Sequence, residues 1–160
     1  MTNGVERQDL ASDSALQDYV KDGDFLDCFA VTSDMPARQA AEIITTFPRW
    51  ARGLVSLRNL IVRPFGLETE GPKHKDVIGI FPVVHETDHE IIAGFNDRHL
   101  DFRVSVLSRN GRVSLATWVH RNNIGGRLYL MLILPFHILI ARNALARVSQ
   151  TDPRHAPSNA

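Results

Sequence analysis

The sequence predicts an α+β fold in which an antiparallel β-sheet wraps around a long, kinked C-terminal helix, with two helices between the first strand and the rest of the sheet. Three observations carry that prediction. Gly125 to Val148, GGRLYLMLILPFHILIARNALARV, is the longest apolar run in the chain. It must be hidden from water, because apolar surface left in water forgoes roughly 25 cal/mol per Å². Asp76 to Arg121 is a succession of short β-type runs separated by turns. Between the first strand-like run and that region lie two stretches with proline at a helix start and apolar residues at helical spacing.

The first strand is Phe25 to Thr32, FLDCFAVT, rich in aromatic and β-branched residues. In SDMPARQAAEIITTFP, Ser33 or Asp34 caps the orphan amides and Pro36 suits a first helical turn, so a helix runs to about Phe47. Pro48 ends it and starts a second, PRWARGLVSLRNLIVRP, in which Trp50, Leu54, Leu57 and Ile61 form one buried stripe. Arg49, Arg52, Arg58 and Arg63 fall mostly off that stripe, on a solvated face. Pro64 closes the helix, and FGLETEGPKHK follows as a loop.

From Asp76 the runs DVIGIFPVV, EIIAGFN, LDFRVSVLS and RVSLATWVHR read as an antiparallel meander, giving about five strands in all. Asn110-Gly111 is a strong two-residue hairpin signal. With Arg109 opposite Arg112, Phe102 faces Val119, Val104 faces Thr117 and Val106 faces Leu115, so both strands place their apolar sets on one side. The other side then pairs Asp101 with His120 and Arg103 with Trp118, and His99 lies two residues from Asp101. Such pairs are explained by sheet structure alone, at about 0.2–1 kcal/mol each. They are also the only acid and base with a derivable mutual position, so His99, Asp101 and His120 are the candidate catalytic residues.

Leu128 to Ala141 is apolar apart from Pro135 and His137, whereas Ala144, Leu145 and Val148 continue as a stripe with Arg142, Asn143 and Arg147 turned outward. Fourteen apolar residues make about 21 Å of helix, short of a hydrocarbon core of about 30 Å. A membrane span is therefore not expected. Burial against the sheet on one side and other protein on the second is expected instead, with a kink at Pro135.

At 160 residues the chain suits a single domain that buries roughly two-thirds of its unfolded surface. That domain is drawn at 24–148, with flexible termini at 1–23 and 149–160. Eighteen Lys plus Arg balance eighteen Asp plus Glu, so no global field gathers nucleic acid. The one cysteine, Cys28, cannot form an internal disulfide, and the N-terminus lacks a secretory pattern. A cytoplasmic protein with a buried Cys28 is expected.

His85-Glu86-Thr87-Asp88-His89 matches HExxH, but that motif needs a helix, and here it lies between two strand-like runs. His99, Asp101 and His120 form a two-imidazole, one-carboxylate set, yet nothing marks an open coordination position, so no metal is expected. No phosphate loop or dinucleotide fingerprint is present, and no cofactor is expected.

Three stretches, PRWARGLVSLRNLIVRPFGL, GFNDRHLDFRVSVL and TWVHRNNIGGRLYLMLILPFHILI, together resemble the bacterial domain-of-unknown-function family 2867. The motifs fall at Trp50 to Gly66, at Asp97 to Asp101, and at Gly126, Arg127, Tyr129, Pro135, Phe136 and His137. The resemblance spans about Asp24 to Val148. It implies a helix-grip architecture similar to START-like lipid-transfer and polyketide-cyclase-like domains, with an apolar ligand in the gap between sheet and helix. Some relatives carry this domain behind a dinucleotide-binding region, which this chain lacks.

The expected function is a binding module for a small apolar or amphipathic molecule, with Phe102, Val104, Leu115, Thr117, Tyr129 and His137 as ligand-binding residues. Two alternatives stand beside it. One is an interaction domain that pairs as a homodimer through the apolar helix or the Trp118 face. The other is a cyclase- or isomerase-like enzyme using His137, or His99, Asp101 and His120.

Overall fold

The computed structural model describes residues 4–46, 49, 52, 76–79 and 81–152. Seven antiparallel strands form one sheet in the order β1-β2-β7-β6-β5-β4-β3. They are β1 (Glu6–Arg7), β2 (Phe25–Thr32), β3 (Val77–Ile78), β4 (Phe81–Glu86), β5 (Glu90–Asn96), β6 (Leu100–Arg109) and β7 (Arg112–Arg121). Among the described residues two α-helices accompany them, α1 (Ala37–Thr45) and α2 (Ile124–Thr151). The class is α+β, as expected. The second expected helix, from Pro48 to Pro64, lies outside the described residues apart from Arg49 and Arg52.

The β6–β7 hairpin closes through Asn110 and Gly111, at φ 54° and 74°. Two positive φ values in succession suit a tight turn that follows the strand twist. The register is the expected one, with Phe102 opposite Val119, Val104 opposite Thr117 and Val106 opposite Leu115. Because β2 pairs with β7 and β5 with β6, the residues line up in rows across four strands. One row is Phe25, Val119, Phe102 and Phe95; the next is Asp27, Thr117, Val104 and Ala93; the third is Phe29, Leu115, Val106 and Ile91. All three face the helices.

The third row and its neighbours make the main core with Ala40, Ala41 and Ile44 of α1 and Ala141, Ala144, Leu145 and Val148 of α2. Leu130 of α2 packs on Leu100 and Val119, with Phe25, Phe102, Tyr129 and Ile133 alongside. Asn123 caps α2 by accepting from the Gly126 amide at 3.0 Å. At Gly126 a Cβ would run into the His99 carbonyl, so only glycine lets the helix start that close to β6. At the far end Asp152 accepts from the Ser33 hydroxyl at 2.7 Å, which anchors α2 to the end of β2.

Three expectations change. About five strands become seven, because DVIGIFPVV divides at Gly79, φ 59°, into β3 and β4, and because β1 comes from the N-terminal segment. That segment, placed outside the domain in the sequence reading, packs on the sheet. Ser14 to Asp18 form a capped 3₁₀ turn, and Leu16, fully buried, sits with Tyr19 against Cys28, Ile92, Ala116 and Trp118 on the face away from the helices. The carboxylate of Glu90 fastens it, accepting from the hydroxyls of Ser14 and Ser105 at 2.5 Å each and from the Ala15 amide at 2.9 Å. Third, the first half of α2 is not covered on all sides: Ile124, Met131 and Leu132 are more than 70% exposed. The helix is continuous through Pro135.

Candidate functional site

The helix-facing side of β2 reads Phe25, Asp27, Phe29, Val31, a carboxylate in an apolar row. The ladder sets Asp27 beside Thr117 of β7, and α2 lays His137 over them. The Asp27 side chain is 4% exposed, and its Oδ2 lies 3.1 Å from His137 Nε2. That contact requires Nε2 to carry the proton when the imidazole is neutral, which leaves Nδ1 as an acceptor. The edge of Phe25 meets the same ring at 6.1 Å between centroids.

Two atoms distinguish this place from ordinary core. Asp27 Oδ1 and Thr117 Oγ1 are buried and have no hydrogen-bond partner among the described residues. A buried polar atom in that condition costs roughly 1–3 kcal/mol, and native structures commonly satisfy such groups with water or a ligand. Both atoms belong to facing positions of adjacent strands. Beside them runs a half-buried aromatic surface: Phe81, Phe95 and Phe102 are in mutual ring contact, with centroids 5.4–6.4 Å apart. The arrangement offers two acceptors, one hydroxyl donor and a carboxylate-held imidazole next to apolar wall.

The expected ligand-binding residues divide accordingly. Thr117 and His137 come together through Asp27. Phe102 and Val104 are half-buried on the same face, Val104 in the same row as Thr117. Leu115 is buried in the main core one row away, and Tyr129 is half-buried beside Leu130. Asp27 itself was absent from the expected set, although its place among Phe25, Phe29 and Val31 at spacing two was a visible signal.

The members of the expected catalytic trio bond to other residues. Asp101 and His120 are opposed, as the register requires, but His120 Nδ1 lies 2.5 Å from Asp24 Oδ1 and its ring stacks on Trp118. Trp118 Nε1 donates to the other Asp24 oxygen at 2.8 Å, and the Lys21 amide donates at 2.9 Å. Burial alone pushes the Asp24 carboxyl up, but the hydrogen bonds from His120, Lys21 and Trp118 together hold it below the usual carboxylate value. Asp101 instead accepts from Asn122 at 3.3 Å, and His99 Nδ1 is 3.0 Å from Asn123 Oδ1. Arg103 lies over Tyr19 at 5.1 Å, not over Trp118. The Asp24 partner was hidden from sequence because nothing local says that the start of β2 lies beside the end of β7.

Among the described residues no group of three or more His, Cys, Asp and Glu side chains could hold a metal ion. His85 to His89 spans the β4–β5 hairpin, where Glu86 pairs with Arg38 of α1 at 2.6 Å. Two surface hollows are described, one of about 90 Å³ beside Arg7, Leu26 and Cys28 and one of about 550 Å³ beside Asp34, His89 and Arg109. Neither includes Thr117 or His137.

Residues 19–144 match the family described as protein of unknown function, DUF2867. The chain belongs to this family. No curated protein and no solved structure matches it. Two of the DUF2867-like motifs meet in space: the Asp97 to Asp101 turn packs against the start of α2, where Asn122 Nδ2 donates to the Asp97 carbonyl at 3.0 Å and Gly126 abuts His99. The third, Trp50 to Gly66, lies outside the described residues apart from Arg52.

Proposed function

We propose that this DUF2867 protein binds a small amphipathic molecule between the sheet and α2, with the polar end on Asp27, Thr117 and His137 and the apolar body along Phe102, Phe95 and Phe81. The pair of buried, unpartnered atoms, Asp27 Oδ1 and Thr117 Oγ1, carries this reading. A core needing only stability has no use for a carboxylate there, since apolar residues of similar volume serve equally well. A guest with a hydroxyl, amide or protonated carboxyl satisfies both atoms at once, because Asp27 accepts and Thr117 both accepts and donates. The resemblance to helix-grip domains supports the same location. Titration with N-phenyl-1-naphthylamine, an apolar fluorophore, tests it. Saturable enhancement that is displaced by medium-chain alcohols and amides is expected, and weaker displacement after Asp27→Leu. Absence of enhancement, or competition unaffected by that substitution, contradicts the proposal.

One observation favours a second reading at the same place. Asp27 at 3.1 Å orients His137, the arrangement by which a carboxylate-backed imidazole moves a proton between positions of a bound substrate. Thr117 then holds the substrate oxygen. This reading places the isomerase-like alternative on His137 and Asp27, and away from His99, Asp101 and His120. Solvent deuterium incorporation into a bound ketone, lost on His137→Gln, is its signature.

A further inference from the structure

We infer that the outward face of the first half of α2 docks on an anionic lipid bilayer, independently of what the Asp27 site holds. Ile124, Leu128, Met131, Leu132, Phe136 and Leu139 are 73%, 58%, 72%, 73%, 47% and 57% exposed. They fall at i, i+4, i+7, i+8, i+12 and i+15, so they share one side of the helix. Single exposed apolar residues are ordinary, but six on one continuous face mark an interaction surface.

Charge selects the partner. The 28 residues of α2 contain no Asp or Glu, and their exposed cations, Arg127 and Arg142, bracket the apolar stretch. Apolar side chains in the interface with arginines reaching headgroup phosphates is the pattern of a helix lying on a negatively charged membrane. A second copy fits less well. Two-fold pairing of this face turns Arg127 of one copy toward Arg142 of the other, with no carboxylate on either helix to relieve them.

Docking differs from crossing. By length and composition alone α2 is apolar enough to span, with mean hydropathy 1.8 over its best window. Its second half, however, is committed to the domain through Ala141, Ala144, Leu145 and Val148, each at most 3% exposed. The exposed stretch from Ile124 to Leu139 is about 24 Å long, less than a hydrocarbon core of about 30 Å. It therefore lies along the surface. The opposite side of the same turns carries His137, with Tyr129 at the flank of the exposed face, so docking sets the ligand site next to the lipid.

Co-sedimentation of the whole chain with phosphatidylcholine vesicles, with and without phosphatidylglycerol, tests this. Binding to the phosphatidylglycerol vesicles is expected, weakened by salt and by Arg127→Glu. Leu132→Glu should weaken it by at least about tenfold, the effect of 1.4 kcal/mol, while far-UV dichroism and the melting profile stay unchanged because Leu132 faces solvent. Protein that remains in the supernatant with both vesicles overturns the inference. So does equal, salt-insensitive binding to both, or a dimer by light scattering that Leu132→Glu dissociates.

Discussion

Replacing Thr117 by valine swaps the hydroxyl for a methyl in nearly the same shape, and the sign of the outcome decides what the hydroxyl is for. Thr117 is 2% exposed, and its Oγ1 has no partner among the described residues. A hydrogen-bonded buried hydroxyl contributes about 0.5–1.5 kcal/mol, so Thr→Val normally destabilises by about that much. An unpartnered one costs roughly 1–3 kcal/mol, and the added methyl contributes up to about 0.8 kcal/mol once buried. The ligand-free Thr117→Val protein is therefore expected to be more stable than the parent by about 1–2 kcal/mol. Urea unfolding measures this as a midpoint raised by about 0.3–2 M at unchanged slope, for slopes of about 1–3 kcal/mol/M. The same variant loses one contact to the ligand and binds it about tenfold more weakly. A lower midpoint refutes the reasoning, because the hydroxyl is then tied into the fold and is not held for a guest.

The remaining predictions concern the surroundings. His137→Ala strips Asp27 of the His137 donor and should destabilise by about 2–3 kcal/mol, whereas the double change Asp27→Leu/His137→Leu should restore most of that stability in urea unfolding. Gly126→Ala drives a Cβ into the His99 carbonyl and should cost about 2–3 kcal/mol, read as a drop in melting temperature. The Asp24 carboxyl is held below its usual value, so its contribution is fully present above about pH 4 and is lost as pH falls through the depressed value. Asp24→Asn should flatten that acid limb in denaturation profiles taken at successive pH values. Burial pushes the Cys28 thiol up, with a smaller lowering from Gln8, so its labelling by Ellman's reagent should follow unfolding in urea and be slow in the native protein.

Local rules reached the sheet and stopped where partners came from far along the chain. Asn110-Gly111 determines one turn, and period two then assigns every residue of β6 and β7 to a face, which is why the rows containing Thr117 and Phe102 could be written from sequence. The identity of a neighbour across β2 is a different matter. Nothing in the spacing of Asp27 and Thr117, ninety residues apart, says that β2 joins β7 with Phe25 opposite Val119. The same holds for Asp24, whose carboxylate takes His120 away from Asp101. Composition misjudged the N-terminal segment for a further reason. Polar residues dominate 1–23, yet Leu10, Leu16, Tyr19 and Val20 suffice to cover the Trp118 face once Ser14 and Glu90 hold the turn in place. Conversely, the apolar first half of α2 reads as buried because residue type reports hydrophobicity and not which side meets the sheet.

Native mass spectrometry of the purified protein, compared with the Asp27→Leu/Thr117→Val variant, addresses the central claim most directly. The account predicts a discrete small-molecule adduct on the parent chain that is absent from the variant, with both folded alike by dichroism. A parent that flies only at its bare mass and takes up no added amphiphile, or an adduct retained by the variant, contradicts it.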